Sequence, residues 1–211
     1  MIKRIRPLYA LIVCGGKSQR MGMEKCLLDY HGLPQWKYIY DITKEIAYAT
    51  LISCNSEQTT LFPPTIPKII DDDKFGDIGP MKALLTAFEK YTEVDFLVIG
   101  CDYPFILKED INSILEAVSG KDENVAAYNN AANKYEPMIA IYNKGVGEVI
   151  KERFANGDFS LQNVLWEVNA HPVNMRNDAI RSADTPQQFL AAKQILDDDV
   201  IKNNHISEKL F

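Results

Sequence analysis

The residues best suited to chemistry are glycines and cations that share one segment, residues 8–25, with the sequence LYALIVCGGKSQRMGMEK. Gly15 and Gly16 follow an apolar run, and Arg20 and Lys25 come shortly after them. Glycine lets a backbone approach a ligand without a Cβ in the way, and consecutive N–H groups in such a turn form an anion-binding concavity. Arginine and lysine supply the charge that a polyphosphate requires. The segment predicts a phosphate-binding loop; the alternative is a surface turn with solvated basic side chains.

The spacing in this loop excludes the two common phosphate-binding fingerprints. No register of the segment satisfies G-x-x-x-x-G-K-[ST], and G-x-G-x-x-G is absent as well. If the loop binds phosphate, it therefore does so through a different arrangement of backbone and cations.

A candidate metal ligand, Asp102, follows the most strand-like run of the chain, DFLVIG at residues 95–100. A carboxylate at the end of a buried strand can hold a hard cation such as Mg²⁺, which in turn bridges phosphate oxygens. The alternative is a turn aspartate that accepts local backbone N–H bonds. Arg20 and Lys25 suit the charge that builds on a transferring phosphoryl group. No Ser-His-Asp or Cys-His pair can be proposed from the spacing, so covalent catalysis has no support.

Strand and helix patterns alternate over the first 118 residues, which is typical of a parallel sheet with helices on both faces. We therefore predict a single-domain, Rossmann-like α/β sandwich with a mostly parallel sheet. The predicted strands are 8–14, 50–54, 67–70, 95–100, 125–128, 137–142 and 167–174. The predicted helices are 34–47, one that begins at 79–80, 108–118, 146–154, 160–165 and 186–196.

Polar groups follow each of the first four predicted strands. They are Gly15 with its loop, Asn55, the run Asp71 to Asp73, and Asp102. In open α/β sheets, ligands bind at the carboxyl ends of the strands. We therefore expect these groups to surround one shared pocket.

Composition restricts the class of protein. The chain has 211 residues, enough for one sizeable core, and we predict one domain over residues 1–196 with a tail at 197–211. The formal charge of −6 argues against a nucleic-acid or anionic-membrane surface, and no apolar run approaches the length of a signal h-region or a membrane span. The four cysteines lack a CxxC pair and are expected to be buried free thiols in a reducing compartment. These features predict a cytoplasmic protein.

Four motifs together resemble a known family. GGKSQRMGMEK, with the strand before it, is similar to the signature loop of nucleotidyltransferases that activate small molecules with an NTP. GDIGPM, CDYPF and DTPQQF follow in the order found in the molybdenum cofactor guanylyltransferase family, and the likeness extends from Leu8 to about Leu196. The resemblance implies a fold like that of the nucleotide-diphospho-sugar transferases.

The resemblance also implies a reaction and a set of site residues. The reaction is transfer of GMP from GTP to the terminal phosphate of molybdopterin, with pyrophosphate released and Mg²⁺ required. The implied partners are GTP, molybdopterin or molybdenum cofactor, and other molybdenum cofactor biosynthesis proteins, with no nucleic acid and no membrane. Catalysis would involve Arg20, Lys25 and Asp102, and metal binding Asp102 and Asp184. The nucleotide would contact Val13, Cys14, Gly15, Gly16, Lys25, Asn55, Gly79, Pro80 and either Asp72 or Asp73.

The chain departs from the family pattern at three places. It has Glu24 where the family has Asp, and Lys82 beside the expected base pocket where the family has Ala. It also has Asp184 where the family has Asn, which either supplies a second metal-binding carboxylate or loses an amide contact. The double glycine favours guanine as the nucleotide base, whereas Lys82 leaves the base preference undecided. Two alternatives therefore remain. One is a related transferase, for CTP and molybdopterin or for NTP and a sugar phosphate, and the other is a non-catalytic nucleotide-binding module. We expect the acceptor to bind near Glu136.

Overall fold

The apolar run after the basic amino terminus forms the central strand β1, Leu8–Val13, of a computed structural model that describes residues 6–16, 21–118 and 120–208. β1 pairs in parallel with β2, Ala49–Cys54, on one side and with β4, Asp95–Gly100, on the other. Every residue of β4 is buried, which explains why its sequence is apolar on both faces. The two strands that precede the predicted loop and Asp102 therefore lie side by side in the sheet.

Seven strands form one sheet in the described part of the chain, in the order β3-β2-β1-β4-β6-β5-β7. β3 is Lys68–Ile70, β5 is Val125–Asn129, β6 is Lys134–Tyr142 and β7 is His171–Asn174. The four strands from β3 to β4 are parallel, and β6 is antiparallel to both β4 and β5. The prediction of a mostly parallel sheet is confirmed.

Helices cover both faces of the sheet, as predicted. They are α1, Gln35–Thr43, α2, Met81–Lys90, α3, Lys108–Ala117, α4, Val146–Ala155, α5, Leu161–Glu167, and α6, Pro186–Glu208. One core cluster joins α2, α4 and α5 to the sheet through side chains such as Leu84 and Val164, and the other joins α1 and α3 through Ile39 and Ile114. None of the described helices combines the length and the apolar character that crossing a bilayer requires.

Two predicted helix ends are wrong. α1 ends at Thr43 rather than near residue 47, because the chain must turn there before β2 begins at Ala49. α6 continues to Glu208 rather than ending near residue 196, so the acidic residues after that point are helical. The division of the chain into a domain and a tail at residue 196 stays a prediction.

Two predicted strand starts are also wrong. β7 begins at His171 rather than at residue 167, because α5 extends to Glu167. β6 begins at Lys134 rather than at Pro137. Its pairing with β5 shifts register there, since Ala126 faces Ala140 but Ala127 faces Glu136. Proline has no N–H to donate, which suits a position where the ladder is interrupted. The shift places Met138 at the end of the sheet where the candidate site lies.

Candidate active site

Two adjoining cavities lie at the carboxyl ends of the parallel strands. The Asp102 cavity, of about 220 Å³, is lined by Val13, Cys14, Gly15, Gly16, Lys25, Gly79, Pro80, Gly100, Cys101, Asp102 and Met138. The Asn55 cavity, of about 360 Å³, is lined by Val13, Gly15, Gly16, Asn55, Ser56, Glu57, Asp71, Asp73, Gly76, Asp77, Gly79, Pro80, Lys82 and Ala83. They share the turn after β1 and the start of α2. One cleft with two compartments therefore replaces the single pocket expected from the sequence.

Lys25 is the central charged group of the Asp102 cavity. It lies in a short 3-10 turn, and its ammonium forms an ion pair with Asp184 and lies 3.6 Å from Asp102 Oδ2. Burial lowers the pKa of Lys25, but the two carboxylates outweigh burial and the net pKa is raised. Lys25 is therefore a full positive charge held between two acidic side chains.

The two acidic side chains come from distant parts of the sequence. Asp102 follows β4, and Asp184 precedes α6, where its backbone N–H donates to Gln188 Oε1 at 2.8 Å. Ala183 N donates to the Asp102 carbonyl at 2.8 Å, so the two segments are joined directly. Burial raises the pKa of Asp102 despite the Lys25 ammonium, and the Asp184 carboxylate raises it further. A second cation beside Asp102 would therefore stabilise the charged form of its carboxylate.

The donor set fits a hard divalent cation that is completed by substrate. No cluster of three or more His, Cys, Asp or Glu side chains suited to a metal occurs among the described residues. Mg²⁺, however, is commonly bound by one or two carboxylates together with substrate phosphates and waters, rather than by a cage made of protein alone. Two carboxylates that share one ammonium at the edge of a glycine-lined cavity match that mode.

The Asn55 cavity contains a buried carboxylate, Asp71, which is the first residue of the acidic run expected at the pocket. Asp71 is 7% exposed and accepts a hydrogen bond from Ser53 Oγ. Burial raises its pKa, and the bond from Ser53 opposes that rise. A Cβ on Gly15 would clash with Asp71 Oδ2 and would displace the carboxylate. The close approach of the Asp71 side chain to the backbone therefore explains why residue 15 is a glycine.

Alternation along β3 is the signal that could have identified Asp71. Ile69 is buried and Ile70 is 52% exposed, so the next residue points back to the inner face. Asp72 instead accepts from Lys74 N at 3.0 Å and caps the turn Asp73–Phe75, and it lines neither cavity. Asp73 does line the Asn55 cavity, where Lys82 Nζ donates to it at 2.6 Å. The structure thus brings Asp71 and Asp73, but not Asp72, to the cleft.

The remaining predicted residues divide as follows. Val13, Cys14, Gly15, Gly16, Gly79 and Pro80 line the Asp102 cavity, together with Lys25 and Asp102, and Asn55 lines the other. Arg20 lies outside the described residues. All four cysteines are buried free thiols, as predicted.

Residues near the expected acceptor position give a mixed result. Glu136 accepts a hydrogen bond from the Tyr103 hydroxyl at 3.3 Å and lines neither cavity. Met138, two residues further on, lines the Asp102 cavity with Gly100. Neither Met138 nor Gly100 was predicted, since nothing in a lone methionine or a strand-end glycine marks a site.

The chain matches one protein family over most of its length. Residues 10–171 match the family described as the MobA-like NTP transferase domain. The chain is 34% identical over 138 residues to a molybdenum cofactor biosynthesis bifunctional protein of Synechocystis sp., which covers 64% of this chain and 39% of that protein. The chain therefore aligns with about two fifths of that relative. It is 29% identical over 161 residues to a molybdenum cofactor guanylyltransferase of Pseudomonas putida, which covers 75% of this chain and 82% of that enzyme.

A solved structure shares the fold. The crystal structure of molybdopterin-guanine dinucleotide biosynthesis protein A from Archaeoglobus fulgidus superposes with a TM-score of 0.69 at 17% identity. The superposition covers 90% of this chain and 99% of that one. The fold is that of the nucleotide-diphospho-sugar transferases, as the sequence motifs implied.

Proposed function

The chain belongs to the MobA-like NTP transferase family, and we propose that it transfers GMP from GTP to the terminal phosphate of molybdopterin. The observation that carries this proposal is the pair of carboxylates, Asp102 and Asp184, that share Lys25 beside the glycine-lined cleft. A nucleotidyl transfer needs a cation site, a positive charge and a phosphate-sized space in one place, and these groups supply all three. The named relatives act in molybdenum cofactor biosynthesis, which supports this acceptor.

In this proposal the two compartments divide the nucleotide between them. The nucleoside occupies the Asn55 cavity, and the phosphates extend past Gly15 and Gly16 into the Asp102 cavity. The Asp71 carboxylate, buried against Gly15, accepts hydrogen bonds from ribose hydroxyls. Lys82 and Asp73 face the base, where an ammonium suits the O6 and N7 acceptors of guanine and a carboxylate suits its N–H donors.

The cation is Mg²⁺, held by Asp102 with Asp184 as a second carboxylate. When bound, it polarises the phosphate oxygens and neutralises charge that develops on the leaving pyrophosphate. Lys25 would supply a positive charge to the same phosphates, because its ammonium lies beside both carboxylates. Arg20, by resemblance to the family loop, adds a second positive charge.

The transfer needs no covalent enzyme intermediate. A phosphate oxygen of molybdopterin attacks the α-phosphorus of GTP in line, a new P–O bond forms, and the bond between the α-phosphorus and the oxygen shared with the β-phosphate breaks. Pyrophosphate leaves with the electron pair. Lys25 stabilises charge in the transition state, while the Gly15–Gly16 backbone fixes the angle of the phosphates.

The proposal also names partners and a compartment. The partners are GTP, molybdopterin or the molybdenum cofactor, and other proteins of that biosynthesis. The compartment is the cytoplasm, which suits four buried free thiols because reducing conditions preserve them.

The test is incubation of the full chain with molybdopterin, Mg²⁺ and each nucleoside triphosphate in turn. We expect pyrophosphate release and a guanine dinucleotide product only when GTP and the acceptor are both present. Pyrophosphate release with CTP in place of GTP would support the same reaction with cytosine as the base. Lys82 in the Asn55 cavity makes this outcome worth testing. Tight nucleotide binding without product from any acceptor supports the non-catalytic module instead.

A further inference from the structure

Gln58 is a buried glutamine that is hydrogen-bonded to both ends of the predicted phosphate-binding loop. It is 2% exposed and lines neither cavity. Its amide nitrogen donates to the Cys14 carbonyl at 3.2 Å and to Glu24 Oε2 at 2.6 Å. Cys14 directly precedes Gly15, and Glu24 directly precedes Lys25. One side chain therefore contacts both ends of the segment that carries the glycine turn and the ammonium of the site.

Gln58 also holds Asn55, which lines the other cavity. Asn55 N donates to Gln58 Oε1 at 3.1 Å, and Gln58 N donates to Asn55 Oδ1 at 2.9 Å. Because Asn55 Oδ1 is engaged in this way, the nitrogen of the Asn55 amide is the end that is available to a ligand in the cavity. Gln58 thus joins the wall of the Asn55 cavity to the loop beside the Asp102 cavity.

Only an uncharged amide suits the position of Gln58. A backbone carbonyl can only accept a hydrogen bond and a backbone N–H can only donate one, so Cys14 and Asn55 fix which end of the amide is the nitrogen. The amide NH₂ has one N–H for Cys14 and one for Glu24. A carboxylate in its place would set oxygen against oxygen at both contacts.

The contact with Glu24 also accounts for a departure from the family pattern, which has Asp at that position. An aspartate side chain is one methylene shorter and would reach less far toward Gln58. The start of the loop is already joined to β2 without Gln58, because Cys14 N and Gly15 N donate to the Ser53 carbonyl at 2.9 and 3.1 Å. What Gln58 adds is the link to the far end of the loop, at Glu24.

We propose that Gln58 is a positioning residue for the nucleotide, which sets the Gly15 turn, Lys25 and Asn55 relative to one another. A loop that is held in its binding geometry before the ligand arrives loses less conformational freedom on binding, so affinity is higher. Gln58 acts through these neighbours and does not touch the nucleotide. This inference rests on the proposed function, because it requires a nucleotide that spans both cavities.

The first test compares the unchanged chain with Gln58→Glu by isothermal titration of GTP, with Mg²⁺ present and the acceptor absent. The substitution keeps the shape of the side chain and an oxygen that accepts from Asn55 N, and it removes both donors to the loop. We expect GTP affinity to fall about tenfold, which is the effect of leaving one buried hydrogen-bonding group without its partner.

Gln162→Glu is the matched control. Gln162 of α5 makes the same kind of contacts with backbone, because its amide nitrogen donates to the Tyr135 carbonyl and its Oε1 accepts from Tyr135 N at 3.2 Å. Neither Gln162 nor Tyr135 lines either cavity of the cleft. Both glutamate variants should unfold at a lower temperature, but Gln162→Glu should bind GTP with the affinity of the unchanged chain.

The second test compares Glu24→Ala with Glu24→Gln. Both remove the carboxylate charge, but only Glu24→Gln keeps an oxygen that accepts from the Gln58 amide. We expect Glu24→Ala to bind GTP about fivefold more weakly than Glu24→Gln. Adding Glu24→Gln to Gln58→Glu should restore part of the lost affinity, because the new amide can donate to the new carboxylate. If Gln58→Glu does not fold, the comparison of the two Glu24 variants decides.

Three results would overturn the inference. Unchanged GTP affinity in Gln58→Glu, or equal affinity in Glu24→Ala and Glu24→Gln, leaves the proposed function standing and removes Gln58 from it. Equal loss of affinity in Gln58→Glu and Gln162→Glu assigns Gln58 to the stability of the fold alone. If the unchanged chain binds no GTP, the nucleotide site of the proposed function fails, and this inference fails with it.

Discussion

Lys25 forms ion pairs with two carboxylates from distant parts of the sequence, Asp102 and Asp184, and this is the smallest unit on which the proposed chemistry depends. Burial raises the pKa of Asp102, and the backbone N–H of Asp184 donates to Gln188 at the start of α6. The sequence predicts Asp102 as a metal ligand, and it predicts either a second metal-binding carboxylate or the loss of an amide contact at Asp184. The lysine that Asp184 shares with Asp102 favours the metal-binding role.

Asp102→Asn should abolish the effect of Mg²⁺ on nucleotide binding and lower turnover about 100-fold or more, because Lewis-acid stabilisation contributes several kcal/mol. Replacing this half-buried carboxylate by an amide of the same shape should leave the fold intact. Titration of GTP with and without Mg²⁺, followed by thermal unfolding, measures both. Asp110→Asn is the matched control, because Asp110 of α3 pairs with Arg176, so that this variant should lose stability and keep its Mg²⁺ response. Normal turnover by Asp102→Asn would contradict the metal role.

Asp71→Asn should raise stability at neutral pH and weaken nucleotide binding. Burial raises the folded-state pKa of Asp71, so the folded protein binds more protons than the unfolded chain between the ordinary pKa of 3.8 and the raised value. The unfolding free energy of the unchanged protein therefore falls as the pH rises through that window, and the variant lacks this fall. Denaturant unfolding of both proteins from acidic to neutral pH should show a difference that grows with pH and then levels off. A difference independent of pH would contradict the account.

At the scale of secondary-structure elements, the site depends on the turn that follows β1 and on the last residue of β4. Gly15 admits the Asp71 carboxylate, and Gly100 admits Asp102, because a Cβ on Gly100 would lie 2.6 Å from Asp102 Oδ1 and 3.3 Å from the Met138 Cβ. The register shift in β6 places Met138 there. Strand ends without side chains thus leave the space that the carboxylates occupy.

Gly100→Ala should displace Asp102 and lower Mg²⁺-dependent GTP affinity. Gly147→Ala in α4 is the matched control, since its Cβ would lie 3.1 Å from Phe88 in the core and far from any site residue. Overpacking typically costs about 1–3 kcal/mol of stability. We expect both variants to lose stability on that scale, and only Gly100→Ala to lose affinity, as measured by denaturant unfolding and GTP titration. Equal loss of affinity in both would contradict the local explanation.

The elements that were predicted well are those whose pattern is set by burial on both faces. DFLVIG predicts β4 with both ends correct, because every position is buried. The ends of α1, β6 and β7 were missed, because they depend on where the chain turns to join a neighbouring strand and not on local periodicity. Asp71 was predicted only as part of the acidic run at the pocket, because its direction follows from the alternation of a strand only three residues long.

At the scale of the whole molecule, the sheet brings distant segments to one edge. β1 and β4 are neighbours, so the turn after β1 meets Asp102, and the segment that precedes α6 carries Asp184 to the same place. The ion pair between Lys25 and Asp184 joins residues separated by 159 positions, which no local pattern reveals. Hydrophobic periodicity cannot connect the DTPQQF segment with the loop after β1. The family resemblance does, because both motifs belong to the family's pattern.

The most direct measurement is binding of GTP, CTP, ATP and UTP to the full chain, each with and without Mg²⁺. The account predicts that GTP binds best, that Mg²⁺ strengthens its binding, and that GTP with Mg²⁺ raises the unfolding temperature by mass action. A preference for another base would keep the cleft and the transferase chemistry and would contradict the assignment of guanine to the Asn55 cavity. Absence of binding by all four nucleotides would contradict the central claim that the turn after β1 and the Asp102–Asp184 pair form a nucleotide site.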